Sequence, residues 1–142
     1  RALAPLLDGV DAALLAPPAN VLRLSLHPKG VAPRIANLPE WRAHILARLR
    51  RQVEVSADPV LRALLDELRG YPVPAATHPV PAAELGGVAV PLRLATSAGM
   101  LSFLSTTMVF GTAVDITLAE ITIEAFFPAD AATAAAMQGA GG

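Results

Sequence analysis

The chain of 142 residues contains no cysteine. That excludes disulfides, cysteine zinc knuckles and thiol nucleophiles. Aromatic residues are scarce at 4%, amounting to Trp41, Tyr71, Phe103, Phe110, Phe126 and Phe127. Charge is thin too: charged residues make up 16% and the formal net charge is −1. A chain without a concentrated basic face is a poor binder of nucleic acid by itself, because duplex affinity rests on neutralising phosphates. No unbroken apolar run reaches the roughly 18–20 residues that a membrane helix needs, and no signal peptide opens the chain. The first residue is Arg1 rather than Met, which suggests a piece of something longer. A cytoplasmic domain is the expectation.

What the chain does have is aliphatic bulk. Hydrophobic residues reach 54%, mostly Ala, Val and Leu, above the share usual in a globular domain. The length suits one domain with a substantial core. Such a composition serves either a tight helix–sheet core or a greasy cavity, and composition does not choose between them.

The first half reads as helical. Ala2 to Leu7 has helical character, broken by Asp8-Gly9. A short helix over Asp11 to Leu15 starts on an Asp11 cap and stops at Pro17-Pro18. Val21 to Leu26 alternates apolar and polar side chains as a strand would, yet Asn20 is a good cap and Leu22 and Leu26 lie one helical turn apart; a short helix is the preferred reading. Pro39 and Glu40 open a longer helix to Gln52, with Trp41, Ile45, Leu46 and Leu49 as its apolar stripe. Arg48, Arg50 and Arg51 would favour its last turn. Asp58-Pro59 opens another to Arg69, burying Leu61, Leu64, Leu65 and Leu68 and ending at Gly70 and Pro72. Two such helices on a short linker should pack as a hairpin.

Residues 71–87 are proline-rich and predict an extended connection. Three strand-like runs follow, Val88–Leu94, Leu101–Phe110 and Val114–Phe126, joined at Ser97-Ala98-Gly99 and Gly111-Thr112. They predict an antiparallel meander. Pro128-Ala129-Asp130 then starts a final helix, Ala131–Met137, before a frayed tail.

Candidate chemistry is sparse. His27, His44 and His78 are too dispersed for a metal frame, so no metal is expected. Ser102, Ser105, Thr106 and Thr107 lack a nucleophile-elbow motif, and ordinary strand chemistry explains them. Glu120 and Glu124 share a strand face that a solvated edge would also produce. Arg48 and Arg51 are helix neighbours, suited to a solvated helix end or an interdomain contact. Asn20, Arg23, His27, Arg34 and Asn37 surround an irregular segment between apolar helices. They would either fix the head of a greasy ligand or act as caps and turn residues. These readings point to binding and not to catalysis, with no catalytic residue and no cofactor.

Three stretches together carry a family resemblance. They are Asn20-Val21-Leu22-Arg23-Leu24-Ser25-Leu26-His27-Pro28 with Gly30 to Asn37; Glu40-Trp41-Arg42 running on to Leu49-Arg50-Arg51-Gln52; and Ser105-Thr106-Thr107-Met108-Val109-Phe110-Gly111-Thr112 with Phe127-Pro128-Ala129-Asp130. Their order and spacing resemble the ligand-binding domain of the MmyB-like transcription regulators, helix-turn-helix proteins of the xenobiotic-response-element type. The resemblance implies an α+β, PAS-like sensory domain over residues 1–138, an antiparallel sheet covered by helices, followed by a disordered tail at 139–142. It implies a fatty-acyl or similar apolar ligand, and DNA contact only through an N-terminal domain outside this chain. It also implies a strand pair ahead of the chain's start; without it, a sheet edge would be open for a second copy to cover, as a homodimer. On this basis the apolar lining is expected at Trp41, Ile45, Leu101, Phe103, Phe110 and Ile123. Arg23, Arg34 and His44 are the candidates for a carboxylate head. No membrane contact is expected. The alternatives are a ligand-free dimerisation module and a small α+β hydrolase or isomerase using His44, Glu120 or Glu124.

Overall fold

A computed structural model of the chain describes residues 7–73, 90–97, 99–110 and 121–139, without the side chains of residues 107–110 and 121–124. The start of the first expected helix, most of the proline-rich connection and the first part of the third expected strand fall outside these residues.

Local signals set the helical half. Helix α1 (Ala12–Leu15) begins where the Asp11 carboxylate accepts the Ala13 N–H. Helix α2 (Val21–Leu26) begins where Asn20 Oδ1 accepts the Arg23 N–H at 3.0 Å, so the cap prevails over the strand-like alternation. The chain then doubles back, and Val31 N–H donates to the Leu24 carbonyl. Gly30 makes this possible: a Cβ there would sit 2.2 Å from the Leu24 carbonyl oxygen. A 3₁₀ turn (Ala32–Arg34) leads to the long helix α3 (Leu38–Ser56).

Helix α3 buries Leu38, Trp41, Ile45, Leu49 and Val53 along one stripe. It runs past the expected end at Gln52 because Val53 extends that stripe by a turn. It stops where Ala57 turns left-handed at φ 54° and donates its N–H back to Val53. Arg48, Arg50 and Arg51 therefore lie mid-helix and not in the last turn, where no basic residue stands. Helix α4 (Pro59–Arg69) starts on the Asp58 carboxylate, which accepts the Val60 N–H at 2.7 Å, and buries Leu64, Leu65 and Leu68. The two helices pack as the expected hairpin. Arg42 of α3 reaches across it and donates to the Arg69 carbonyl, satisfying one of the open acceptors at the end of α4.

The second half is a three-strand antiparallel meander, ordered β1 (Leu92–Thr96), β2 (Gly99–Phe110), β3 (Ile121–Pro128). Leu92 faces Phe103 and Leu94 faces Leu101 across the first pair, while Phe103 faces Pro128 and Ser105 faces Phe126 across the second. Helix α5 (Ala131–Gly139) follows at once. Its buried Thr133 lends a hydroxyl oxygen to the Ser102 N–H at 2.9 Å, and its own N–H is taken by Asp130. That N–H holds the Asp130 carboxyl below the usual carboxylate range.

The chain is thus α+β. One core joins both halves: Leu26, Ile35, Leu38, Trp41, Ile45, Leu49, Leu65 and Leu68 from the helical side meet Leu92, Leu94, Leu101 and Phe103 from the sheet. The outer edge of β1 is occupied by the chain itself. Ile35 forms a bridge with Leu94, Ala36 N–H donates to the Arg93 carbonyl, and Asn37 Oδ1 accepts the Arg93 N–H.

Candidate ligand site

Side chains alternate across a strand, so one sheet face carries Leu92, Leu94, Leu101, Phe103 and Ser105 together with Phe126, the cross-strand neighbour of Ser105. Helices cover this face over Leu101 and Phe103, which are 6% and 4% exposed. Cover thins along the strands. Ser105 is half-buried and Phe126 is 42% exposed. The Ser105 Oγ atom is nevertheless out of reach of solvent and has no hydrogen-bond partner. A buried hydroxyl left so costs about 1–3 kcal/mol, which makes it a polar break in a largely apolar surface.

Four of the expected lining residues come together. Trp41 and Ile45 of α3 lie in the same core as Leu101 and Phe103 of β2. Trp41 is 1% exposed and donates its indole N–H to Ser25 Oγ at 2.9 Å, so its one polar group is satisfied inside the core. Phe110 lies opposite Ile121, and Ile123 opposite Met108. Their register parity is the reverse of that of Leu101 and Phe103; their side chains are outside the described residues.

The three candidates for a carboxylate head stand on three different elements. Arg23 on α2 already grips a carboxylate: its Nε and Nη2 each donate to Glu67 of α4 at 2.7 Å. The Tyr71 hydroxyl donates to the same carboxylate, and the His27 ring meets Tyr71 edge-on at 5.0 Å. With Arg23 and Tyr71 donating to it, Glu67 is pulled down to about 2, while Tyr71, desolvated and hydrogen-bonded to that anion, is pushed up to about 12. Arg23 is raised by the same hydrogen bond. Arg34 closes the 3₁₀ turn, and His44 sits half-buried on α3 with its ring 5.8 Å from that of Trp41. Neither is without a partner.

Three members of the polar cluster around the irregular segment have structural partners. Asn20 caps α2, and His27 Nδ1 accepts the Lys29 N–H. Asn37, 1% exposed, donates to the Pro91 carbonyl at 2.7 Å and to Glu40, and accepts from Arg93. Sequence reasoning overlooked Glu67 and Tyr71 as partners of Arg23, though their spacing of one helical turn was a signal that they share a face. It also assigned Ser105 to ordinary strand chemistry, and no sequence signal marks an orphaned hydroxyl.

Among the described residues no group of three His, Asp or Glu side chains could hold a metal ion, and no helix is long and apolar enough to cross a membrane. Glu120 lies outside the described residues, as does the side chain of Glu124. A family model, the MmyB-like transcription regulator ligand binding domain, matches residues 1–139. Neither a curated protein nor a solved structure matches the chain.

Proposed function

The chain belongs to the MmyB-like transcription regulator ligand-binding domain family, and from that premise we propose that it senses an apolar, fatty-acyl-like small molecule on behalf of a DNA-binding regulator. The observation that carries this reading is the apolar sheet face whose helical cover thins between Phe103 and Phe126. An aliphatic chain laid there would continue the core formed by Trp41, Ile45, Leu101 and Phe103, each buried CH₂ contributing about 0.8 kcal/mol. Phe110 and Ile123 lie further along β2 and β3 at the opposite register parity, so the lining proposed for this face rests on Trp41, Ile45, Leu101 and Phe103. Arg34 and His44 remain candidates for a polar head; Arg23 would serve only after releasing Glu67. The helix-covered three-strand sheet is compatible with a PAS-like domain.

In this reading the domain binds and does not catalyse, needs no cofactor, and works in the cytoplasm, where the regulator meets DNA through a separate helix-turn-helix domain. Ligand acts by its differential affinity for two states of the regulator. Thermal unfolding in the presence of a saturated fatty-acid series tests it. A melting temperature that rises with chain length supports the reading, and no rise at saturating concentration overturns it.

One observation favours a second reading, a homodimerisation module. The opposite sheet face carries Met100, 54% exposed, and Phe127, 51% exposed, beside Leu104. Sedimentation of the free chain decides between a dimer closed over this face and a monomer.

A further inference from the structure

We propose that Ser105 is the polar anchor of the ligand site and that the ligand it selects has an uncharged oxygen head, an alcohol or acyl carbonyl, in preference to a free carboxylate. The inference rests on the apolar-ligand reading above and adds the position and chemistry of the head.

Ser105 is two residues beyond Phe103 on the same face of β2, and its cross-strand neighbour Phe126 leaves apolar surface exposed beside it. The hydroxyl is closed off from solvent and unpartnered. A buried polar group without a partner is unfavourable, and a ligand that displaces the groups now covering it would supply the missing hydrogen bond from its head oxygen. The aliphatic remainder of the ligand would then lie along Phe126 and Val90, which packs against the core. Leu101 and Phe103 are already fully packed, so they form the floor of the site.

Charge argues for the uncharged head. A carboxylate brought here would exchange its hydration for one hydroxyl donor, a poor trade in apolar surroundings. Arg93 pairs with Ser102 in the sheet register, and its side chain alternates to the face away from Leu92 and Leu94. Arg23 is held in both of its donor positions by Glu67.

The test compares 1-decanol with decanoate at pH 8 by titration calorimetry, on the whole chain and on Ser105→Ala and Ser105→Thr. Decanol should bind at least about tenfold more tightly than decanoate. Ser105→Ala should weaken decanol about five- to tenfold while the ligand-free protein melts at the same or a higher temperature, since an orphaned hydroxyl has been removed. Ser105→Thr should restore decanol binding. A fall in ligand-free melting temperature in Ser105→Ala would show a structural role instead. Unchanged decanol affinity in Ser105→Ala, or decanoate binding as tightly as decanol, overturns the inference and leaves the apolar-ligand reading standing. Failure of both compounds to bind the unsubstituted chain overturns both.

Discussion

Arg23 and Glu67, 44 positions apart in the chain, meet in a two-pronged ion pair that ties α2 to α4, with both N···O distances at 2.7 Å. The side chains are 40% and 37% exposed, so solvent screening limits the pair to about 1 kcal/mol. Its pH dependence has a definite sign. Glu67 titrates near 4.5 when unperturbed and at about 2 in the folded chain. Its contribution is complete above about 4.5 and is lost as pH falls towards 2. Glu67→Gln should therefore destabilise the protein in urea unfolding at pH 7, and the difference from the unsubstituted protein should shrink through pH 4 to 2. A constant difference would show that the charge is not what matters.

Tyr71 is the single tyrosine of the chain, so tyrosinate absorbance reads it alone. Its hydroxyl is raised from 10 to about 12, first by burial and then by the Glu67 carboxylate that it serves as donor. The stability linked to that proton is present below pH 10 and is lost as pH rises through 12. The ionisation midpoint should lie near 12 in the folded protein. Glu67→Gln should move it down towards 10 without reaching it, since burial remains.

Asn37 donates to Pro91 and accepts from Arg93, two backbone groups that would otherwise face a dry interior. Asn37→Leu keeps similar bulk and abandons both. It should cost about 2–6 kcal/mol in chemical denaturation, at about 1–3 kcal/mol for each stranded group. Asn37→Asp keeps the acceptor for Arg93 but sets a carboxylate against the Pro91 carbonyl and Glu40, and should recover little.

Ala57 ends α3 at φ 54°, a conformation that favours glycine. Ala57→Gly should stabilise the protein by about 0.5–1 kcal/mol, read as a melting temperature higher by about 3 °C. A lower melting temperature would mean that added freedom in the unfolded chain outweighs the relieved backbone.

Much of the architecture was legible because it is local. Asn20, Asp11 and Asp58 cap the helices they were expected to cap, and the meander follows from strand-like runs separated by turns. Misplacements arose where a local signal ran out. Arg50-Arg51-Gln52 looks like a helix end, and only packing of Val53 shows that the stripe continues. Periodicity set Trp41 with Ile45 and Leu101 with Phe103, while the expectation that the two pairs meet came with the family resemblance. Whether Phe110 shares their face depended on an unbroken register through β2, which periodicity over so apolar a run does not set. The partner of Arg23 was hidden for another reason. An ion pair across 44 residues is a product of how α2 comes to lie against α4, and the local spacing of Glu67 and Tyr71 shows only that those two share a face.

The grip of Asn37 on β1 also has a mechanical side. One side chain, at the flank of the first turn of α3, holds a strand by the carbonyl of Pro91 and the N–H of Arg93. Sheet and long helix are thereby pinned at a common fulcrum. A tilt of the sheet transmitted through that pin would swing the far end of a 19-residue helix, a rod of about 28 Å at 1.5 Å per residue. The α3–α4 turn stands at the opposite end of that rod, the part of the helix farthest from the pin.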